Sequence, residues 1–152
     1  MSVSDRKFFE MAGASAPGGE SLEMLSGEVI DDDGTPMIQR AVAAWKTPLD
    51  ALTCSQARLL VSQKMGLEWL AAPLAAFVLR YPDASATYFP GDLTLAALRA
   101  MRELLTIIPQ PARAIANLDF AWLTENSDSD PEFLKDAEQT ITKARILARG
   151  HA

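Results

Sequence analysis

Residues 67–81 read LEWLAAPLAAFVLRY, a stretch in which only Glu68 and Arg80 carry charge. A helix that is apolar on all sides lies in the core of a protein. The stretch is shorter than the ~20 apolar residues that a membrane-spanning helix needs. We therefore expect a buried central helix, with Gly66 as a left-handed terminator just before it and a kink or a new start at Pro73.

The segments on both sides of this stretch show helical spacing of apolar residues with recognisable ends. Thr35 and Pro36 are typical of a helix start, and Thr53 and Gln56 have the spacing of a capping box. Asp92 follows the Pro90-Gly91 turn as an N-cap, and Pro109 should end the helix that it starts. The expected helices are 35–46, 54–65, 67–81, 92–107, 111–123 and 131–149. The only candidates for short strands are residues 28–30 and 86–89. The sequence predicts an all-α fold, a single-domain bundle of about six helices joined by short loops.

The domain organisation is expected to be simple. Residues 1–20 contain Pro17 and the Gly18-Gly19 pair and show no sustained period, so they are interpreted as a flexible N-terminal segment. Residues 21–152 then form a single helical domain. Its core should include the tryptophans and methionines on the apolar stripes: Trp45, Trp69, Trp122, Met24, Met37, Met65 and Met101.

The charge is distributed unevenly along the chain. It carries 14 basic and 20 acidic residues, a net charge of −6, which is the opposite sign from a typical nucleic-acid binder. Residues 8–34 hold seven acids and no base, and residues 119–138 hold seven acids and one lysine. Such blocks are often simply solvated. The alternative is a surface that attracts a basic partner. The densest clusters are Asp31, Asp32 and Asp33, and Glu125, Asp128 and Asp130 near Trp122.

Few side chains suited to catalysis are present. The single histidine, His151, lies next to the C-terminal residue, and the single cysteine, Cys54, has no base beside it. These counts exclude an internal Ser-His-Asp triad and a zinc site built from Cys and His. No phosphate-binding glycine motif occurs. We expect no enzyme activity, no metal and no cofactor, although carboxylate-only catalysis is not excluded by counting. The N-terminus lacks the apolar stretch of a secretory signal, so a cytoplasmic location is expected.

Residues 46–98 resemble, as a unit, the immunity proteins of bacterial contact-dependent growth inhibition systems. The resemblance rests on four pieces in order: Pro48 and Leu49; Gln63, Gly66 and Leu67; Pro73, Leu74 and Ala75; and Tyr88 through Leu93. The family usually has tyrosine immediately before Pro-Gly-Asp, where this chain has Phe89. It also usually has two consecutive leucines after the aspartate, where this chain has Leu93 followed by Thr94. The resemblance covers about a third of the chain.

The resemblance implies a protein that binds the C-terminal toxin domain of its own system's secreted effector and blocks the active site of that toxin. Many of these toxins are nucleases, often RNases acting on tRNA, so the partner is expected to be a basic protein rather than nucleic acid or a membrane.

The candidate toxin-binding residues are Asp31, Asp32, Asp33, Trp122, Glu125, Asp128 and Asp130. The motif residues Gln63, Gly66, Pro73, Tyr88, Phe89, Pro90, Gly91 and Asp92 are interpreted as mainly structural, with Tyr88 and Phe89 filling the core beneath the turn. If the acidic clusters are only solvated, the interface should lie on the helical face near 88–102. The alternative function is a small α-helical adaptor for another basic protein.

Overall fold

The apolar stretch forms a central helix that runs from Leu67 to Arg80 and passes through Pro73 without a break. The computed structural model describes residues 2–32, 34–124 and 130–150, and these are all-helical, with no β-strand among them. The described residues hold ten α-helices, which are α1 (Phe8–Ala12), α2 (Leu22–Ser26), α3 (Pro36–Lys46), α4 (Cys54–Ser62), α5 (Leu67–Arg80), α6 (Asp92–Arg99), α7 (Met101–Ile107), α8 (Pro109–Ala116), α9 (Ala121–Thr124) and α10 (Pro131–Gly150). A short 3-10 helix lies at Leu49–Ala51.

Helix α5 lies at the centre of the packing, as its composition predicts. Leu70, Leu74 and Val78 are completely buried, and the helix contacts α1, α4, α6, α7 and α8. Helix α10 covers another side of the same core through contacts with α6, α7 and α8. Helix α3 packs on α2 and α4. The α5–α6 loop, residues 81–91, leads from the central helix to α6.

The expected number of about six helices is too low for two reasons: two of the predicted helices are divided, and α1 and α2 were not predicted. The segment 92–107 is interrupted at Ala100, whose N–H bonds to the carbonyls of Ala96 and Ala97 and closes the last turn of α6. Helix α7 ends at Ile107, as expected from Pro109, and Pro109 itself begins α8, since proline is well suited to a first helical position. The segment 111–123 accordingly splits between α8 and α9.

The N-terminal segment is more ordered than the sequence predicted. Residues 8–12 form α1, with Phe8 completely buried, and Val3 is also in the core. Main-chain bonds join Val3 N–H to the Ser85 carbonyl (2.9 Å) and Phe8 N–H to the Leu52 carbonyl (2.9 Å). The interpretation of residues 1–20 as lacking regular structure is therefore wrong for this helix, whose five residues depend on tertiary contacts.

The aromatic and methionine side chains are distributed differently from the expectation. Trp45 and Met101 are buried, and Trp69, Trp122 and Met65 pack half-buried against the core. Met24 and Met37 are 66% and 44% exposed, so their assignment to the core is wrong. No helix in the described ranges has both the length and the apolar character needed to cross a membrane.

Candidate protein-binding surface

Asp92 organises the α5–α6 loop. Its side chain is 5% exposed, and its carboxylate accepts backbone N–H groups from Ala86, Thr87 and Tyr88, each at 2.8 Å, and from Leu93 at 2.9 Å. Gly91 occupies the N-cap position and Asp92 is the first residue of α6, so the prediction of Asp92 as the N-cap is wrong by one residue. Its role is to hold the loop to the start of the helix.

Gly91 and Trp122 fit against each other. Gly91 has φ +86°, and a Cβ built on it would lie 2.1 Å from Trp122 Cη2. Trp122 Nε1 is buried and has no hydrogen-bond partner within the described part of the chain. Trp122 therefore packs against the turn at Gly91, in line with the expectation that it belongs to the core.

Tyr88 and Phe89 point to different environments. Phe89 packs edge-on against Phe133 of α10, with the ring centroids 4.9 Å apart. Tyr88 is 68% exposed, so the expectation that it fills the core is wrong. Its ring instead stacks over the Arg58 guanidinium, whose Cζ lies 4.8 Å from the ring centroid. Pro90, between them and the helix, is exposed.

The other motif residues shape the α4–α5 connection. Lys64, at φ +57°, takes the left-handed position that ends α4, with bonds from Lys64 N–H to Val61 O and from Met65 N–H to Leu60 O. Gly66, at φ +69°, immediately precedes α5, and a Cβ there would meet Leu22 Cδ1 at 2.8 Å. Gln63 is exposed at the C-cap of α4, while Pro73 is buried within α5. Gly66 and Pro73 thus take part in the packing around α5, whereas Gln63 lies at the surface. Lys64, rather than Gly66 as predicted, is the left-handed residue that ends α4.

The predicted acidic residues that the structure describes lie at the surface. Asp31 and Asp32 are exposed, and Asp32 accepts the Gly34 N–H at 2.8 Å. Asp130 is also exposed and accepts the Glu132 N–H at 3.0 Å in the first turn of α10, so it acts as a helix cap. The predicted site residues Asp33, Glu125 and Asp128 lie outside the described residues. In the alternative face near 88–102, residues 92–98 are buried, whereas Tyr88, Pro90, Arg99 and Arg102 are exposed, so these exposed side chains stay an alternative interface.

Three acidic side chains from separate segments meet around one cavity of about 470 Å³. We call it the acidic cavity and define it by Glu28, Glu68, Glu103, Trp45 and Trp69, which line it together with Lys64. Trp45 Nε1 donates to the Glu28 carbonyl at 2.8 Å, which holds this part of the acidic segment 8–34 against α3. None of the three carboxylates is among the predicted site residues. Glu28 lies within the acidic segment 8–34, and only the fold brings Glu68 and Glu103 near it.

The charges of the acidic cavity are incompletely paired. Lys64 Nζ lies 3.2 Å from Glu103 Oε1, whereas Glu103 Oε2 is buried with no hydrogen-bond partner in the described residues. Glu28 and Glu68 are exposed. Carboxylates beside indole rings provide two attractions for a guanidinium or ammonium group, ion pairing and cation–π contact. No set of three potential metal ligands occurs among residues 2–32, 34–124 and 130–150. The cavity thus places two carboxylates without an ion pair in the described residues beside two indole rings.

Cys54 is buried in the first turn of α4, and burial raises the pKa of its thiol from 9.0 to about 11. At pH 8 the thiolate fraction is therefore about a hundredfold lower than in the exposed side chain. We expect alkylation by iodoacetamide at pH 8 to be at least that much slower in the native protein than in urea. Mass spectrometry over time measures both rates, and equal rates would contradict a buried, inert thiol.

Comparison of the chain with protein-family models, with curated proteins and with solved structures found no match.

Proposed function

We propose that this protein is an immunity protein that binds and neutralises the C-terminal toxin domain, a nuclease of the RNase type, of a contact-dependent growth inhibition effector. It would act in the cytoplasm of the cell that makes the effector, and would block the active site of the toxin. The observation that supports this proposal most is the acidic cavity, whose three carboxylates and two indoles suit a basic side chain of a protein partner.

Physical chemistry favours a nuclease as the partner. A nuclease carries cationic side chains where it holds the phosphates of its substrate, and an acidic inhibitor is attracted to the same groups. The net charge of −6 would speed the encounter, and a desolvated pair at the centre of the interface would slow dissociation. Asp31 and Asp32 follow Glu28 in sequence and are proposed as additional contacts that guide the partner towards the cavity.

The proposal requires a gene for a large secreted effector directly upstream, and the test is binding to the C-terminal domain of that effector. We expect the double variant Glu28→Gln, Glu68→Gln to bind at least tenfold more weakly at low salt, with a flatter salt dependence, because both carboxylates line the cavity without an ion pair in the described residues. Titration calorimetry at two salt concentrations measures this. Nuclease assays then show whether bound toxin is inactive.

The matched control is Asp50→Asn, Asp83→Asn, which removes the same charge from exposed positions outside the cavity. It should bind within about twofold of the parent. Equal affinity of the two double variants would contradict the role of the acidic cavity. Tight binding that leaves the toxin active would contradict the immunity function and favour an adaptor.

A further inference from the structure

A second cavity, of about 300 Å³, lies between α3, α4 and the α5–α6 loop. Arg40 and Arg58 line it, together with Ser55, Thr87 and Tyr88, and no carboxylate is among its lining residues. We call it the arginine cavity. In a chain with a net charge of −6, two guanidinium groups facing one cavity without a counter-charge form a local site of the opposite sign.

Arg58 is held in place by two contacts. Its Nε donates to Thr87 Oγ1 at 3.0 Å, and its guanidinium lies under the Tyr88 ring with Cζ 4.8 Å from the centroid. Neither contact uses the two Nη atoms of the guanidinium. A fixed guanidinium loses little rotational freedom on binding, so its remaining donors are well prepared for a planar, two-point interaction with an oxyanion.

The hydroxyl groups of the cavity leave one proton unused. Ser55 Oγ and Thr87 Oγ1 are 3.0 Å apart and share one hydrogen bond in which either atom donates. Thr87 Oγ1 also accepts from Arg58. Two hydroxyl protons are present and one lies in the mutual bond, so the other is available to a ligand. The cavity thus combines two cations with a neutral donor.

The buried carboxylate of Asp92 holds in position the loop residues that contact Arg58. It fixes the N–H groups of Thr87 and Tyr88, the two residues that contact Arg58 from the α5–α6 loop. The first-turn N–H groups of α4 are already engaged: Cys54 N–H bonds to Arg6 O, and Ser55 N–H to Ser4 O. An anion in the cavity would be held by side chains rather than by the helix terminus.

From this geometry we propose that the arginine cavity binds a phosphate monoester. Two guanidinium groups and a hydroxyl donor match a doubly charged tetrahedral anion better than a single carboxylate, which has two acceptor oxygens and one charge. The exposed Tyr88 ring provides a surface on which the organic part of the ester lies. The proposal concerns a small ligand and stands independently of the toxin-binding function.

The experiment titrates the full-length protein with inorganic phosphate, uridine 5′-monophosphate and uridine, followed by NMR. We expect phosphate and the nucleotide to shift the Arg58 Nε–H signal and the backbone signals of residues 86–88, with the nucleotide binding severalfold more tightly. Uridine alone should shift none of them. Absence of these shifts with both phosphate probes at about 10 mM, a concentration that detects even weak binding, overturns the proposal.

The variant Arg40→Gln tests the charge without disturbing the loop, since Arg40 is exposed on α3 and takes no part in the contacts of Arg58. It should weaken phosphate binding at least fivefold. The matched control is Arg102→Gln, an exposed arginine on α7 outside this cavity, and it should bind like the parent. Equal weakening in both variants would show that only net charge matters and would overturn the assignment.

The variant Tyr88→Leu tests the role of the ring. It should remove the difference in affinity between the nucleotide and inorganic phosphate, and an undiminished difference would overturn the role of the ring.

Discussion

Replacement of Asp92 by alanine should lower the free energy of unfolding by about 4 kcal/mol. The carboxylate accepts four backbone N–H groups, and the substitution leaves those of Ala86, Thr87 and Tyr88 without their acceptor. A buried donor without a partner costs roughly 1–3 kcal/mol. For a chain of this size the melting temperature should fall by about 12 °C. Thermal and urea denaturation followed by circular dichroism measure both quantities.

Two further variants identify the cause. Asp92→Asn keeps one acceptor oxygen but loses the charge, and it should cost about half as much. Asp130→Ala removes an exposed carboxylate that only caps α10, and it should cost ~1 kcal/mol. If Asp92→Ala cost no more than Asp130→Ala, Asp92 would be an ordinary capping residue, and the loop would not depend on it.

The substitution Gly91→Ala should destabilise the protein by about 3 kcal/mol, for two separate reasons. At φ +86° any side chain is strained, which costs on the order of 1 kcal/mol. The added Cβ would also lie 2.1 Å from Trp122 Cη2 and 2.6 Å from Cζ3, so the indole must move out of its site, at a cost of roughly 1–3 kcal/mol. Urea denaturation of the variant measures the sum.

A double-mutant cycle separates the two contributions. Trp122→Phe removes the six-membered ring of the indole and leaves no unpaired acceptor, because Nε1 has no partner among the described residues. In that background Gly91→Ala should cost only the backbone strain, which gives a coupling free energy of about 2 kcal/mol. A cost that is the same in both backgrounds would show that the contact with Trp122 does not determine the effect.

The parts of the fold that depend on local sequence were predictable. The capping box at the start of α4 is present, with Gln56 N–H bonded to Thr53 Oγ1 and Thr53 N–H bonded to Gln56 Oε1. Thr35 likewise precedes Pro36 at the start of α3. Both signals act over a single helical turn, so the residues themselves are enough to identify them.

The parts that depend on distant residues were not predictable. Helix α1 contains only five residues, too few to be stable alone, and it forms where Phe8 and Phe9 meet the core. The acidic cavity joins Glu28, Glu68 and Glu103, which no spacing rule connects. Tyr88 was assigned to the core from its type, whereas the bonds that Asp92 makes to residues 86–88 fix the backbone that exposes it.

The attachment of the N-terminal segment has a consequence for synthesis on the ribosome. Ser2 pairs with Ser85, Lys7 with Thr53 and Ser21 with Pro48, so residues of the segment 2–21 bind residues that are made later. At ~5–20 residues per second, roughly 4–15 s separate the translation of Phe9 from that of Ser85. Throughout that interval the side chains of Phe8 and Phe9 have no completed core to enter. We therefore expect α1 to dock late in folding rather than to nucleate it.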